Sequence, residues 1–122
     1  MGLPKVKRGE IWEVDFEPQA HKEEPGKRKR PALVIQTNLL NDAGHPTTIV
    51  VPGTTQLRRD QDYFPLRVAI GKPGAMPEET DLLIDQVRAI SNNRLMGGGA
   101  VANLSRAHIK RVEEALKLLQ GL

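Results

Sequence analysis

In the stretch Glu10-Ile11-Trp12-Glu13-Val14-Asp15-Phe16, Trp12, Val14 and Phe16 fall on one side and Glu13 and Asp15 on the other. A period of two marks a half-buried strand. The next residues, 17–29, are polar, carry Pro18, Pro25 and Gly26, and read as a long loop. Pro31 opens a second apolar run, Ala32-Leu33-Val34-Ile35, which Asn38 and Asn41-Asp42-Ala43-Gly44 end. Thr47-Thr48-Ile49-Val50-Val51 is β-branched throughout and is expected to stop at Pro52-Gly53. A fourth strand is expected over 63–70, with Pro65 placing it at an edge or bulge, and another from Asp81 to Ile90, bent near Asp85-Gln86. Ser91-Asn92-Asn93-Arg94 suits a single capped helical turn, and Gly97-Gly98-Gly99 leads to a short strand, Ala100 to Leu104. Ser105 then caps a helix in which Ile109, Val112, Leu116 and Leu119 recur at spacings of three and four. Five or six short strands and one closing helix predict a small, strongly curved sheet or partly open barrel.

The composition narrows the function. The 122 residues suit one domain, 1–122, and 39% hydrophobic with 27% charged residues is a globular balance. With no cysteine, a disulfide scaffold, thiolate zinc, iron–sulfur clusters and a cysteine nucleophile are excluded. No apolar run approaches the roughly 18 residues of a membrane span, and the first eight residues lack a signal-peptide core, so a soluble, cytoplasmic protein is expected. His21, His45 and His108 stand far apart in no metal-binding spacing, and neither a phosphate loop nor a Gly-x-Ser-x-Gly elbow occurs. No cofactor or metal is expected.

Charge gives the positive signal. Lysine and arginine outnumber acids 18 to 15, and Lys27-Arg28-Lys29-Arg30 is an unbroken basic run. Arginine can hold a phosphate through two parallel hydrogen bonds, and Pro31 restricts Arg30 to an extended backbone. Thr54, Thr55 and Gln56 supply two hydroxyls and an amide at a strand exit, suited to phosphate oxygens or base edges. Gln86 and Arg88 share a parity and face one side if their strand is regular. Taken alone, the basic run reads as a solvated charge cluster or an anion site, and 52–56 as a turn or a donor set. Arg88 reads as a partner of Asp85 or as a nucleic-acid contact. Trp12 and Phe16 are most simply core, which leaves little for aromatic stacking platforms.

Four segments in order resemble the MazF/PemK family of toxin endoribonucleases over nearly the whole chain. They are Arg8 to Phe16, Arg30-Pro31-Ala32-Leu33-Val34-Ile35, Val51-Pro52-Gly53-Thr54-Thr55-Gln56 and Asp85-Gln86-Val87-Arg88. The resemblance implies a small SH3-like, partly open β-barrel with a C-terminal helix, the MazF/CcdB/Kid-like fold. It further implies a metal-independent endoribonuclease cutting single-stranded RNA at short sequences. Such a protein works as a homodimer and is silenced by a cognate antitoxin whose disordered tail fills the RNA groove. Arg30 and Thr54 match the family's catalytic pair. The loop before Arg30 is one residue longer than the family's, so its glutamate corresponds to Glu23 or Glu24, with Glu24 the catalytic candidate. Lys27, Arg28, Lys29, Thr55, Gln56, Gln86 and Arg88 are the candidate RNA contacts. Two alternatives share the fold: a CcdB-like gyrase poison, against which Arg30 and Thr54 argue, and a catalytically silent RNA-binding module, which the altered loop at 21–29 keeps open.

Overall fold

The alternation that defines the first strand also sorts the whole sheet into two faces. A computed structural model describes residues 5–16 and 29–122. Its strands are β1 (Glu10–Asp15), β2 (Lys29–Val34), β3 (Thr47–Thr54), β4 (Arg67–Gly71), β5 (Thr80–Leu83), β6 (Arg88–Ser91), β7 (Leu95–Met96) and β8 (Ala102–Asn103), with helices α1 (Asn38–Asp42) and α2 (Arg106–Gln120). β1 pairs antiparallel with β2 on one edge and with β7 and β8 on the other, and β2 pairs with β3. β3 then divides its free edge between β6 and β5, and β5 carries β4. The result is the expected curled half-barrel with a C-terminal helix.

Cross-strand rows show how it is held. Ile11, Leu33 and Val51 stand opposite one another, all buried on the face that α2 covers with Val112 and Ala115. Each such fully buried side chain contributes about 1.5–3 kcal/mol. Trp12, Ala32 and Pro52 form the next row, which points away from the helix into a second cluster with Val14, Phe16, Val34, Val50 and Ile90. α2 begins as expected: Ser105 Oγ accepts the His108 N–H at 3.2 Å. It ends at Gly121, whose φ of 72° is left-handed, a conformation glycine adopts without steric cost.

Several boundaries differ from the sequence expectation. β3 does not stop at Pro52-Gly53 but runs to Thr54. Its outer edge pairs with β6 up to Val50 and with β5 from Gly53, so the change of partner falls at Val51-Pro52, where proline has no N–H to give. The strand expected over 63–70 starts only at Arg67, because the N–H groups of Leu66 and Arg67 both donate to the Tyr63 carbonyl and close a turn. The run from Asp81 to Ile90 is two strands separated by a 3-10 turn, Ile84–Gln86, at the expected bend. Asn92–Arg94 forms the capped single turn, and the strand expected over 100–104 shrinks to Ala102–Asn103. α1 was not expected because it buries no apolar stripe: Leu39 is exposed, and buried Asn41 is held through Gln36 instead.

Candidate active site

The β2–β3 ladder sets the two motif residues on one side of the sheet. Its last pair is Ala32 with Pro52, and Arg30 and Thr54 each lie two residues beyond it on these antiparallel strands. The strands stay in contact there: a Cβ built on Gly53 would lie 3.3 Å from the Pro31 carbonyl oxygen. Both residues share the parity of Ala32, Val34, Val50 and Pro52, so both face away from α2. Arg30 also pairs with buried Val14 across β1.

A second guanidinium arrives on the same face. Arg88 is opposite Val50, which is opposite Val34, so alternation directs a charged residue toward an apolar cluster. It does not enter the core. Its guanidinium carbon sits 5.4 Å from the Phe16 ring centroid, and that of Arg30 sits 5.9 Å from the same ring. Both lie within cation–π range, roughly 6 Å. One nitrogen of Arg88, Nη1, is buried without a hydrogen-bond partner. A cationic N–H hidden from water without an acceptor is unfavourable, as are two like charges on one ring. A bound anion relieves both. Beside Arg88 opens a cleft of 460 Å³ lined by Asp15, Phe16, Ile90, Asn93 and Arg94 among others. That volume falls within the range of small-ligand sites, about 300–1,000 Å³.

The Thr54 side is pinned by hydrogen bonds. Thr54 Oγ1 accepts the Gln56 N–H at 3.1 Å, and the Gln56 carbonyl accepts from Arg67 Nη1 at 2.9 Å. One lone pair of the hydroxyl is thereby used, which leaves its O–H to donate. Arg67 Nη1 also donates to Asp81 Oδ2 at 2.9 Å, and Arg59 grips both oxygens of Asp81 at 3.0 Å. Burial pushes the Asp81 carboxyl up, but the hydrogen bonds from Arg59 and Arg67 outweigh it and hold it below the usual aspartate value. Arg59 is raised in turn, chiefly by its hydrogen bond to Asp81.

The structure therefore brings Arg30 and Arg88 to one ring, on the face that Thr54 shares, and leaves others apart. Thr55 is half-buried beside Thr54, while Gln56 is exposed and contributes its backbone to the turn. Lys29 is exposed at the start of β2, opposite Asp15. Gln86 lies in the 3-10 turn, not on β6, so the parity argument linking it to Arg88 does not apply. Glu23, Glu24, Lys27 and Arg28 lie outside the described residues. Phe16 is core as expected, 5% exposed, yet its ring is also the platform for both arginines, a role the sequence reading missed. The missed signal was that Arg30 and Arg88 occupy the apolar parity of their own strands.

A family model for the PemK-like, MazF-like toxins of type II toxin–antitoxin systems matches residues 7–119. The chain belongs to this family. Endoribonuclease EndoA of Bacillus subtilis is 32% identical, with 96% of each chain covered. Endoribonuclease MazF9 of Mycobacterium tuberculosis is 28% identical over 93% of this MazF-like chain and 94% of its own. Among solved structures, MazF from Deinococcus radiodurans superimposes with a TM-score of 0.71 at 23% identity, covering 96% of this chain and 97% of that one. A mycobacterial endoribonuclease in complex with its cognate antitoxin gives 0.71 at 21% identity, with 96% of each chain covered. At these identities the structural likeness speaks for the fold.

Proposed function

We propose that this chain is the toxin of a type II toxin–antitoxin pair and a sequence-specific, metal-independent endoribonuclease acting on single-stranded RNA. The observation that carries the reading is the convergence of two guanidinium groups on the Phe16 ring, on the face to which Thr54 also belongs. RNA brings its own nucleophile, the ribose 2′-hydroxyl, so the protein has to position a phosphodiester and stabilise charge. The 2′ oxygen attacks the adjacent phosphorus in line, the bond to the 5′ oxygen breaks, and the products are a 2′,3′-cyclic phosphate and a 5′-hydroxyl. Negative charge grows on the non-bridging oxygens during attack. Donors already aimed at that charge lower the barrier without reorganising.

Arg30 takes the phosphate as a two-pronged donor, and Thr54 donates its O–H to a second oxygen. A guanidinium keeps its proton at any working pH, so Arg30 acts as charge and donor rather than as base. Glu24 is a secondary candidate for carrying the proton of the 2′-hydroxyl. Arg88 and the adjoining cleft suit the neighbouring nucleotide, with Lys27, Arg28, Lys29, Thr55, Gln56 and Gln86 as further contacts. The reading extends to one domain over residues 1–122, a homodimer, control by a cognate antitoxin and a cytoplasmic setting. In support of the activity and the antitoxin, curated relatives are named endoribonucleases and a neighbour of the same fold was solved with its cognate antitoxin. The gyrase-poison and silent-module alternatives are not favoured by those relatives.

Long single-stranded RNA incubated with the purified protein in EDTA is expected to show discrete cuts ending in cyclic phosphate. A substrate with a single 2′-deoxy sugar at the cut site should stay whole at that position. Intact RNA with and without added divalent metal overturns the reading. Arg88→Ala is expected to raise KM about tenfold or more, from a lost charge-assisted contact worth about 1.5–3 kcal/mol, while the melting temperature holds. Steady-state kinetics beside a thermal melt check this.

A further inference from the structure

Asp81 is the one charged side chain buried among the described residues, at 1% exposure, and sequence reading gave it no role. A buried carboxylate persists only where cations and hydrogen bonds replace its water. Both oxygens are occupied here, by the fork of Arg59 and by Arg67 Nη1. Such a triad is no obvious aid to stability, since well-packed apolar residues often serve as well in its place. Its other connections are more telling. The same Arg67 nitrogen that meets Asp81 also meets the Gln56 carbonyl, the Gln56 N–H meets Thr54 Oγ1, and Thr54 is paired with Asp81 across β3 and β5. The contacts close a ring, from Asp81 through Arg67 and Gln56 to Thr54 and back through the ladder.

We propose that Asp81 and Arg67 are positioning residues that fix the Thr54–Gln56 turn, and so aim the Thr54 hydroxyl at the scissile phosphate. The assignment rests on the endoribonuclease reading. Arg67 is the element that transmits: one nitrogen spends one hydrogen on the carboxylate and the other on the backbone carbonyl. Arg59 completes the neutralisation from the half-exposed side and ties the following loop to the same carboxylate. The carboxylate is held in its charged form well below neutral pH, so the ring is intact wherever RNA cleavage is assayed.

The test compares wild type with Arg67→Met, Arg67→Lys and Asp81→Asn on a short single-stranded RNA carrying a mapped cut site. Arg67→Met should lower kcat about 10- to 100-fold with KM within about twofold, as a misplaced catalytic group does. Arg67→Lys, which can still bridge the two oxygens, should recover most of that loss. Amide hydrogen exchange of free protein should show the Gln56 N–H less protected in Arg67→Met and Asp81→Asn, and restored in Arg67→Lys. Wild-type kcat and unchanged Gln56 protection in Arg67→Met sink the proposal, even if Asp81→Asn fails to fold. Should wild type cut no RNA at all, the endoribonuclease reading falls separately. Gln56 exchange then decides the ring alone: faster exchange in Arg67→Met upholds it, and unchanged exchange overturns it.

Discussion

Arg30→Ala is expected to slow single-turnover cleavage of single-stranded RNA by about 10²- to 10³-fold, while the melting temperature stays within a few degrees of wild type. The size follows from the job assigned to the side chain. Removing one preorganised donor from a developing oxyanion costs about 2.7–4 kcal/mol of transition-state stabilisation. Arg30 is half-buried at the mouth of the far-face cluster, and its contact with the Phe16 ring is worth about 0.5–1 kcal/mol, well below the expected loss in rate. Arg30→Lys should recover only part of the rate, because an ammonium keeps the charge but not the planar fork. Thr54→Val should show a similar separation of rate from stability, with Thr54→Ser close to wild type because the hydroxyl is what matters. Full activity in both Arg30→Ala and Thr54→Val would place the chemistry elsewhere on the molecule.

Gly53→Ala is the second large effect, and there the loss should fall on fold and function together. A Cβ at Gly53 would sit 2.7 Å from the Thr80 Cγ2 methyl, 3.3 Å from the Pro31 carbonyl oxygen and 3.4 Å from Pro31 Cγ. Thr80 cannot simply swing aside: it is 1% exposed and its Oγ1 donates to the Glu78 carbonyl. Overpacking of this kind costs about 1–3 kcal/mol, which for a chain of this size lowers the melting temperature by about 3–15 °C. The strain pushes β3 away from Thr80 of β5 first and, less strongly, from Pro31 of β2. That movement displaces Thr54 relative to Arg30, so kcat measured well below the melting point should drop further than the unfolded fraction explains. A melt and a cleavage rate both matching wild type would show that β3 is not packed against Thr80 and Pro31 at Gly53 as described.

The two motif residues were legible because Pro31 and the Pro52-Gly53-Thr54-Thr55 exit are local signals, tied to backbone conformation and side-chain chemistry. Arg88 was legible as a candidate, but its alternatives were not separable in one dimension. Whether a guanidinium meets Asp85 or an aromatic ring depends on how far β6 curls toward the end of β1. Asp81, Arg59 and Arg67 were not legible at all. Arg59 and Arg67 lie 22 and 14 residues from Asp81 in sequence; Arg67 meets it because β4 pairs with β5, and the turn that Tyr63 closes lies between Arg59 and β4. The overextended 63–70 strand and the curtailed β3 failed for the same reason: a proline tells where a ladder bond is missing, not whether the neighbouring strand needs one.

By itself, the sequence determined the alternating strands, the capped helix α2 and the pair of residues offered to a phosphate, since periodicity, capping and side-chain chemistry are properties of neighbours along the chain. Only the tertiary structure decided that β3 changes partners at Val51-Pro52, that Phe16 carries two arginines, and that a buried carboxylate closes a ring behind Thr54. Those features depend on strand order and curl, which arise from burying two faces of one sheet at once, and no window along the chain contains them.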